Sequence, residues 1–207
     1  HGIADGAPVL VLMPGSRRSE APRLLPVYGR MLAHLQRSMP GIVPVVPVAP
    51  VIADIVRRGV AKWPVKPLVI TDVNDKHDAF AAADAALTKS GTSTLELAMA
   101  DVPMAVTYRV NPVTATMARR LIRVPYVAMV NLLSGHRLVP ELLQEHCTPE
   151  RLAATVERLL RDETSRRLQR AGFAHIRASL RGPGQDPATA AALEVMDLLA
   201  LRPAAGA

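Results

Sequence analysis

Cysteine and aromatic rings are scarce in this sequence. Among its 207 residues Cys147 stands alone, so no intramolecular disulfide can form and no thiolate cluster can bind a metal. The histidines at positions 1, 34, 77, 136, 146 and 175 include no His-x-x-x-His pair, and neither a metal nor a cofactor is expected. Aromatic residues form only 3% of the chain, too few for a base-stacking platform, so nucleic acid is set aside as a partner in spite of the net charge of +7. No run approaches the ~20 apolar residues of a membrane-spanning helix. No charged-then-apolar leader precedes the first strand, and the expected compartment is the cytoplasm. Also missing are a Gly-x-Gly-x-x-Gly turn, a Gly-x-x-x-x-Gly-Lys loop and a Gly-x-Ser-x-Gly elbow, which argues against dinucleotide folds, phosphate-loop ATPases and α/β-hydrolases. The first residue is His1 rather than Met, and a strand pattern is under way by Val9. The expectation is a fragment of a longer protein.

What is present is 49% hydrophobic and 21% charged, a balance that supports a globular domain with a sizeable core. Val9-Leu10-Val11-Leu12 is a continuous apolar run, as in a strand buried on both faces of a parallel sheet. It breaks at Pro14-Gly15-Ser16-Arg17-Arg18, and Leu24, Tyr28, Met31 and Leu35 then recur at helical spacing. Further strands are predicted at residues 42–48, 65–70, 84–88, 103–107 and 126–130, with Pro44 and Pro47 suggesting irregular or edge pairing near the end of the second. Between them fall helices at 51–56, 78–83, 95–99 and through Met117 and Leu121. Residues 71–74 read as a loop that could meet a flat ring. Thr148-Pro149-Glu150 opens another helix with a cap, a proline and an early acid. A helix at 165–180 carries Arg166, Arg167, Arg170, Arg177 and Arg181, ordinarily a solvated face, with an anionic membrane surface as the other reading. Asp186-Pro187 caps a terminal helix ending near Leu201. Alternation of strand and helix at this pace is the pattern of a doubly wound parallel sheet, whose ligands sit beyond the carboxyl ends of the strands.

Two turns there have the composition of an anion site. In the first, Ser16 and neighbouring N–H groups can cradle phosphate while Arg17 or Arg18 supplies a guanidinium fork; the alternative is an exposed basic turn. The second, Lys89-Ser90-Gly91-Thr92-Ser93-Thr94-Leu95-Glu96, joins a small apolar strand to a helix start. Glu96 would oppose a phosphate but suits a ribose diol, and a nucleotide offers both. The alternative is a local capping box between Ser93 and Glu96. Asn131, at the end of the predicted last strand, falls on the same rim.

These motifs together resemble lipid-A-disaccharide synthase. The residues carrying the resemblance are Leu12-Met13-Pro14-Gly15-Ser16-Arg17, Ser90-Gly91-Thr92-Ser93-Thr94-Leu95-Glu96, Val102-Pro103-Met104 with Tyr108-Arg109, and Val130-Asn131-Leu132-Leu133 followed by Pro140-Glu141-Leu142-Leu143-Gln144-Glu145. The resemblance implies the C-terminal, Rossmann-like domain of a GT-B-type glycosyltransferase, with residues 1–181 as the UDP-sugar-binding domain. Residues 182–207 would be a crossover loop and a helix that packs on an N-terminal acceptor domain absent from this chain. It further implies inverting transfer of 2,3-diacylglucosamine from UDP to 2,3-diacylglucosamine 1-phosphate in lipid A biosynthesis, by an enzyme peripheral on the inner face of the bacterial inner membrane. A homodimer is a further expectation. Arg17 would stabilise the leaving diphosphate, Gly15, Ser16, Ser90, Gly91, Thr92 and Ser93 would cradle it, and Glu96 would take the ribose hydroxyls. Asn131, Glu141 and Gln144 are candidates for the sugar or the diphosphate, and the general base would lie outside this chain. His136 stands where the family usually has arginine, with Arg137 beside it. The alternatives are another UDP-sugar enzyme of this architecture, of the peptidoglycan glucosaminyltransferase or 2-epimerase type, and a non-catalytic anion-binding module.

Overall fold

Strand β1 (Val9–Met13) is sheathed on both sides, as its unbroken apolar run requires, and the sheet is laid out around it. The computed structural model describes residues 2–111, 124–181 and 186–200. The other strands are β2 (Val43–Pro47), β3 (Leu68–Ile70), β4 (Ala85–Lys89), β5 (Met104–Tyr108) and β6 (Glu141–Leu143). All pairings are parallel and the order is β3-β2-β1-β4-β5-β6. The predicted helix through Met117 and Leu121 lies outside the described residues.

The two-residue period of each strand divides the core in two. Leu10, Leu12, Val46, Leu87 and Leu142 point to one face, where α1 (Ala21–Ser38), α2 (Ala53–Val60) and α6 (Pro149–Arg161) cover them with Leu24, Tyr28, Val56, Leu152 and Val156. Val9, Val11, Val45, Ala86 and Val106 point to the other. There α3 (Val73–Ala81), α4 (Ser93–Met99), α5 (Met129–Ser134) and α7 (Glu163–Arg181) supply Phe80, Leu97, Val130, Phe173 and Ile176. This is a doubly wound, Rossmann-like sheet.

β2 corrects the edge reading of its prolines, since it pairs on both sides. Val43 N donates to Pro8 O, toward β1, and Val48 N donates to Ile70 O, toward β3. By alternation the missing donor of Pro44 faces the β3 side and that of Pro47 the β1 side. The β2–β3 register starts only at Val45 and the β1–β2 register ends there, so neither ladder loses a bond.

Three further expectations change. Residues 126–130 are not a strand: Ala128 leads into α5, and the sixth strand is Glu141–Leu143. Thr71-Asp72-Val73-Asn74 is not an open loop either. Asp72 caps α3 by accepting from Asn74 N at 2.8 Å and Asp75 N at 3.2 Å, so the helix begins at Val73 rather than Asp78. Nor is the arginine-rich helix α7 simply a solvated face. Arg177 donates to Ala98 O and to Asp101, and Arg170 donates to Asp101 O, clamping α7 to the end of α4. Terminal helix α8 (Pro187–Ala200) exposes Leu193, Val195, Met196, Leu198 and Leu199.

Candidate functional site

Strand order reverses between β1 and β4, since the chain runs outward from β1 to β3 and then resumes on the other side at β4. Such a switch point opens a crevice beyond the carboxyl ends of the two strands. Both predicted anion turns emerge there. They line a single cleft of about 540 Å³ with Gly15, Ser16 and Arg17 on one wall and residues 90–93 and Glu96 on the other, closed below by Asp72 and Lys76.

The first turn is shaped by Gly15, at φ +105°, a conformation that L side chains rarely adopt. A Cβ there would also lie 2.7 Å from Glu20 Oε2, so the carboxylate of Glu20 rests against the backbone of the turn. Its Oε1 accepts from Arg17 Nη1 at 2.7 Å and faces Lys89 Nζ at 3.1 Å. Burial pulls the Glu20 carboxyl upward, but hydrogen bonds and charge from Lys89 and Arg17 overcome that and hold it below the ordinary carboxylate range. Lys89 ends β4 and lies over the Tyr108 ring, 5.2 Å from its centroid. Arg17 and Arg18 are both exposed.

The second turn presents less than its composition promises. Ser90 Oγ donates to Val127 O at 2.8 Å, and Ser93 Oγ is engaged by Thr88 Oγ1 at 2.9 Å and by Lys89 O at 3.3 Å. Ser90 ties the turn to the segment before α5 and Ser93 ties it to β4, and Ser16 and Thr92 are the exposed ones. The capping box between Ser93 and Glu96 is not formed: Thr92 is the cap residue and makes no side-chain cap bond. Glu96 instead accepts from Lys76 Nζ at 2.9 Å, across the floor of the cleft. Gly91 faces open space, with nothing within 4 Å of an added Cβ.

Asn131 and Glu141 are not on this rim. Asn131 is fully buried; its Nδ2 donates to Val139 O at 3.0 Å and Glu141 Oε1 at 2.8 Å, and its Oδ1 accepts from Val139 N at 2.8 Å. The Glu141 carboxylate also accepts from Val127 N and Ala128 N, so it holds the two residues that lead into α5. The pair fixes the segment whose Val127 carbonyl receives Ser90. Gln144, just past the carboxyl end of β6, accepts from Val110 N at 3.3 Å and adopts φ +47°. His136 and Arg137 are exposed; His136 Nδ1 lies 2.9 Å from Ser134 O. Cys147 is sealed in the core, where burial pushes its thiol up to about 11, against a smaller opposing pull from Arg109. Among the described residues no group of three or more His, Cys, Asp or Glu side chains comes together to hold a metal.

Sequence reasoning gave no role to Glu20, to Lys76 or, within the second turn, to Lys89. Lys89 closes a small apolar strand and could have been found by asking which charged residue a strand's carboxyl end delivers to a switch point. Glu20 and Lys76 lie on helix starts with no motif of their own, and only the fold brings them in.

Comparison with known proteins gives the family and the fold. Residues 1–195 match the family model for lipid-A-disaccharide synthetase. The lipid-A-disaccharide synthase of Gluconobacter oxydans (strain 621H) is 64% identical over 199 residues, which is 96% of this chain and 48% of that protein. That of Granulibacter bethesdensis (strain ATCC BAA-1260 / CGDNIH1) is 56% identical over 96% of this chain and 53% of its own length. The chain thus spans about half the length of the curated relatives it matches. Among solved structures, the calicheamicin glycosyltransferase CalG4 superposes with a TM-score of 0.60 at 25% identity, covering 97% of this chain and 44% of that one. WaaG, a glycosyltransferase involved in lipopolysaccharide biosynthesis, superposes with a TM-score of 0.57 at 18% identity, over 90% of this chain and 45% of its own; at that identity the likeness speaks to fold alone. No described helix is long and apolar enough to cross a membrane.

Proposed function

Because the chain belongs to the lipid-A-disaccharide synthetase family, we propose that it is the donor-binding half of a lipid-A-disaccharide synthase. In this reading the whole enzyme transfers 2,3-diacylglucosamine from UDP to 2,3-diacylglucosamine 1-phosphate with inversion, releasing UDP. The observation that carries it is the meeting of two turns of anion-binding composition and one acidic side chain, Glu96, in a single cleft at the switch point. A nucleoside diphosphate needs both chemistries.

The roles follow from physical chemistry. Charge grows on the leaving diphosphate as the glycosidic bond breaks, and a donor already aimed at that charge lowers the barrier. Arg17 becomes that donor once its side chain turns from Glu20 to the bound diphosphate, with the N–H groups of Gly15, Ser16, Gly91 and Thr92 around it. Glu96, released from Lys76, accepts from the two ribose hydroxyls. Ser90, Ser93, Asn131 and Glu141 serve the donor by holding the second turn in place, while Gln144 approaches the sugar. No metal or cofactor is required, because protein cations and N–H groups carry the charge relief. The general base that takes the acceptor's proton belongs to the other half of the enzyme.

The remaining assignments share this reading. Residues 1–181 form the donor domain, and the exposed apolar residues of α8 pack on the missing half. The enzyme works on the cytoplasmic face of the inner membrane, drawn to anionic lipid by its positive charge, as a homodimer.

Titrating the chain with UDP and assaying it for disaccharide formation tests the proposal. The expected outcome is UDP binding without turnover, and turnover once the other half of the enzyme is supplied. Robust turnover by this chain alone would place the base here and end the half-enzyme reading, and failure to bind UDP would end the donor-site assignment.

A further inference from the structure

Glu20 is an anion already seated in the place prepared for another. Its carboxylate lies against the Gly15 turn, and one oxygen is shared between Arg17 at 2.7 Å and Lys89 at 3.1 Å. All three side chains line the cleft. The two cations differ in kind. Arg17 is 74% exposed on a turn and free to swing, whereas Lys89 is 15% exposed, rooted in the last residue of a central strand and set over the Tyr108 ring. Glu20 itself is 17% exposed.

Resting on the nucleoside diphosphate reading above, we infer that Lys89 is a second diphosphate-binding cation and that Glu20 is a built-in counter-ion, which the incoming diphosphate must displace from Arg17 and Lys89. The charge count supports the exchange. Two cations and one carboxylate leave a net +1, and a diphosphate brings more negative charge and more acceptor oxygens than the single carboxylate it replaces. Arg17 can reach the newcomer by rotating its side chain. Lys89 cannot travel far, so the ligand comes to it.

The arrangement also explains why a carboxylate is tolerated in an anion site. Without it, two like charges would face each other across the empty cleft, one of them mostly buried, and a buried lysine without a partner is expensive. Glu20 therefore stabilises the empty cleft and competes with the ligand. A residue that merely aims Arg17 would do the first and the reverse of the second.

The opposing signs make the test. UDP, inorganic pyrophosphate and uridine would be titrated into the chain and into Glu20→Gln, Lys89→Met and Glu157→Gln, the last removing a remote carboxylate as a control for net charge. Thermal unfolding of the ligand-free proteins would run alongside. Loss of one charge-assisted contact corresponds to roughly tenfold in affinity, so Lys89→Met should weaken both UDP and pyrophosphate by about that factor. Glu20→Gln should tighten both by about fivefold, as expected for removing one screened like charge at close range, while lowering the melting temperature of the empty protein. Uridine should respond to neither, and Glu157→Gln should be neutral throughout. If Glu20→Gln weakens UDP and pyrophosphate, Glu20 only aims Arg17 and the counter-ion inference is overturned, although the nucleotide reading survives. It is equally overturned if Lys89→Met leaves both ligands unaffected. Pyrophosphate obeying this pattern while UDP fails to bind would uphold the inference and remove the nucleotide reading; binding of neither ligand to any variant would remove both.

Discussion

The β1–β4 end of the sheet, where the cleft opens, and its β6 end, away from the cleft rim, hold polar side chains in opposite states. At the β1–β4 end, Arg17, Glu20, Lys76, Lys89 and Glu96 are ion-paired with one another, through contacts that a ligand can exchange. At the β6 end, Asn131 and Glu141 spend their hydrogen-bonding capacity on the backbone of 127–128 and 139. The Glu96–Lys76 pair, partly exposed in the cleft, contributes little to stability, because solvent screens it. A buried amide bonded to main chain contributes much, because each partner it leaves behind has no water to turn to. The difference teaches that polar residues at strand ends are told apart by what they touch, not by their type.

Asn131→Ala is the strongest way to break that comparison. It strands Val139 N, Val139 O and part of the Glu141 carboxylate, and at about 1–3 kcal/mol for each abandoned group the loss should reach at least ~3 kcal/mol. With roughly 2–4 °C per kcal/mol for a chain of this size, the melting temperature should fall by about 6 °C or more. UDP affinity of the protein that remains folded should stay within a few fold. An unchanged melting temperature combined with lost UDP binding would put Asn131 in direct contact with ligand and merge the two ends.

Arg17→Ala tests the open end, in the enzyme with both halves present. Removing one preorganised donor to developing charge typically lowers turnover ~100-fold, about 2.7 kcal/mol, and stability should be unmoved because the side chain is exposed. Arg18→Ala should remain within a few fold of wild type in kcat. Equal losses from the two substitutions, or an effect confined to KM, would reduce Arg17 to diffuse positive charge.

Glu96→Gln sharpens the same end with a smaller effect. The carboxamide keeps the shape but loses the charge that would accept from two hydroxyls, and such bonds are worth roughly 1.5–3 kcal/mol, so UDP affinity should drop about tenfold. Its ion pair with Lys76 lies at the surface, where a pair contributes about 0–1 kcal/mol, so stability should barely change. A clear fall in melting temperature with UDP affinity intact would show that Glu96 is structural.

Much of this arrangement was legible in the sequence, and the reasons differ by element. β1, β4 and β5 are apolar runs whose burial on both faces leaves no other reading, and the glycine turns after β1 and β4 follow from φ requirements and breaker residues. The switch point then follows from alternation and handedness. What could not be read was everything decided by partners distant in the chain. Residues 126–130 carry a strand's composition, yet the N–H groups of Val127 and Ala128 go to the carboxylate of Glu141, 14 and 13 residues on, and a helix begins at Met129. The hydroxyls of Ser90 and Ser93 look free in one dimension and are consumed in three. Lys76 reaches Glu96 across 20 residues, and no local rule predicts that.

The weakest test lies beneath the cleft, where the open end is anchored to the core. Tyr28 on α1 and Thr107 on β5 are both fully buried, and their hydroxyls meet at 2.7 Å. Burial drives the phenol far above its ordinary range, against a smaller opposing effect of the Thr107 hydrogen bond, so the tyrosine is neutral at any working pH and only a neutral hydrogen bond is at stake. Thr107 Oγ1 also donates to the main-chain carbonyl of Thr88 at 3.3 Å, and the Thr88 hydroxyl meets Ser93 Oγ, so polar contacts run by way of Thr88 from the core to the second turn. Tyr28→Phe removes one link but strands no group, because Thr107 can still donate to Thr88 O. The expected loss is therefore about 1 kcal/mol, the net value of one such bond, with UDP affinity unchanged. A loss above ~3 kcal/mol, or a fall in UDP affinity of more than a few fold, would mean that these polar contacts work as one cooperative unit and hold the second turn in its binding shape. In that case the open end would depend on buried polar contacts as the closed end does, and the contrast between them would narrow to the charged side chains alone.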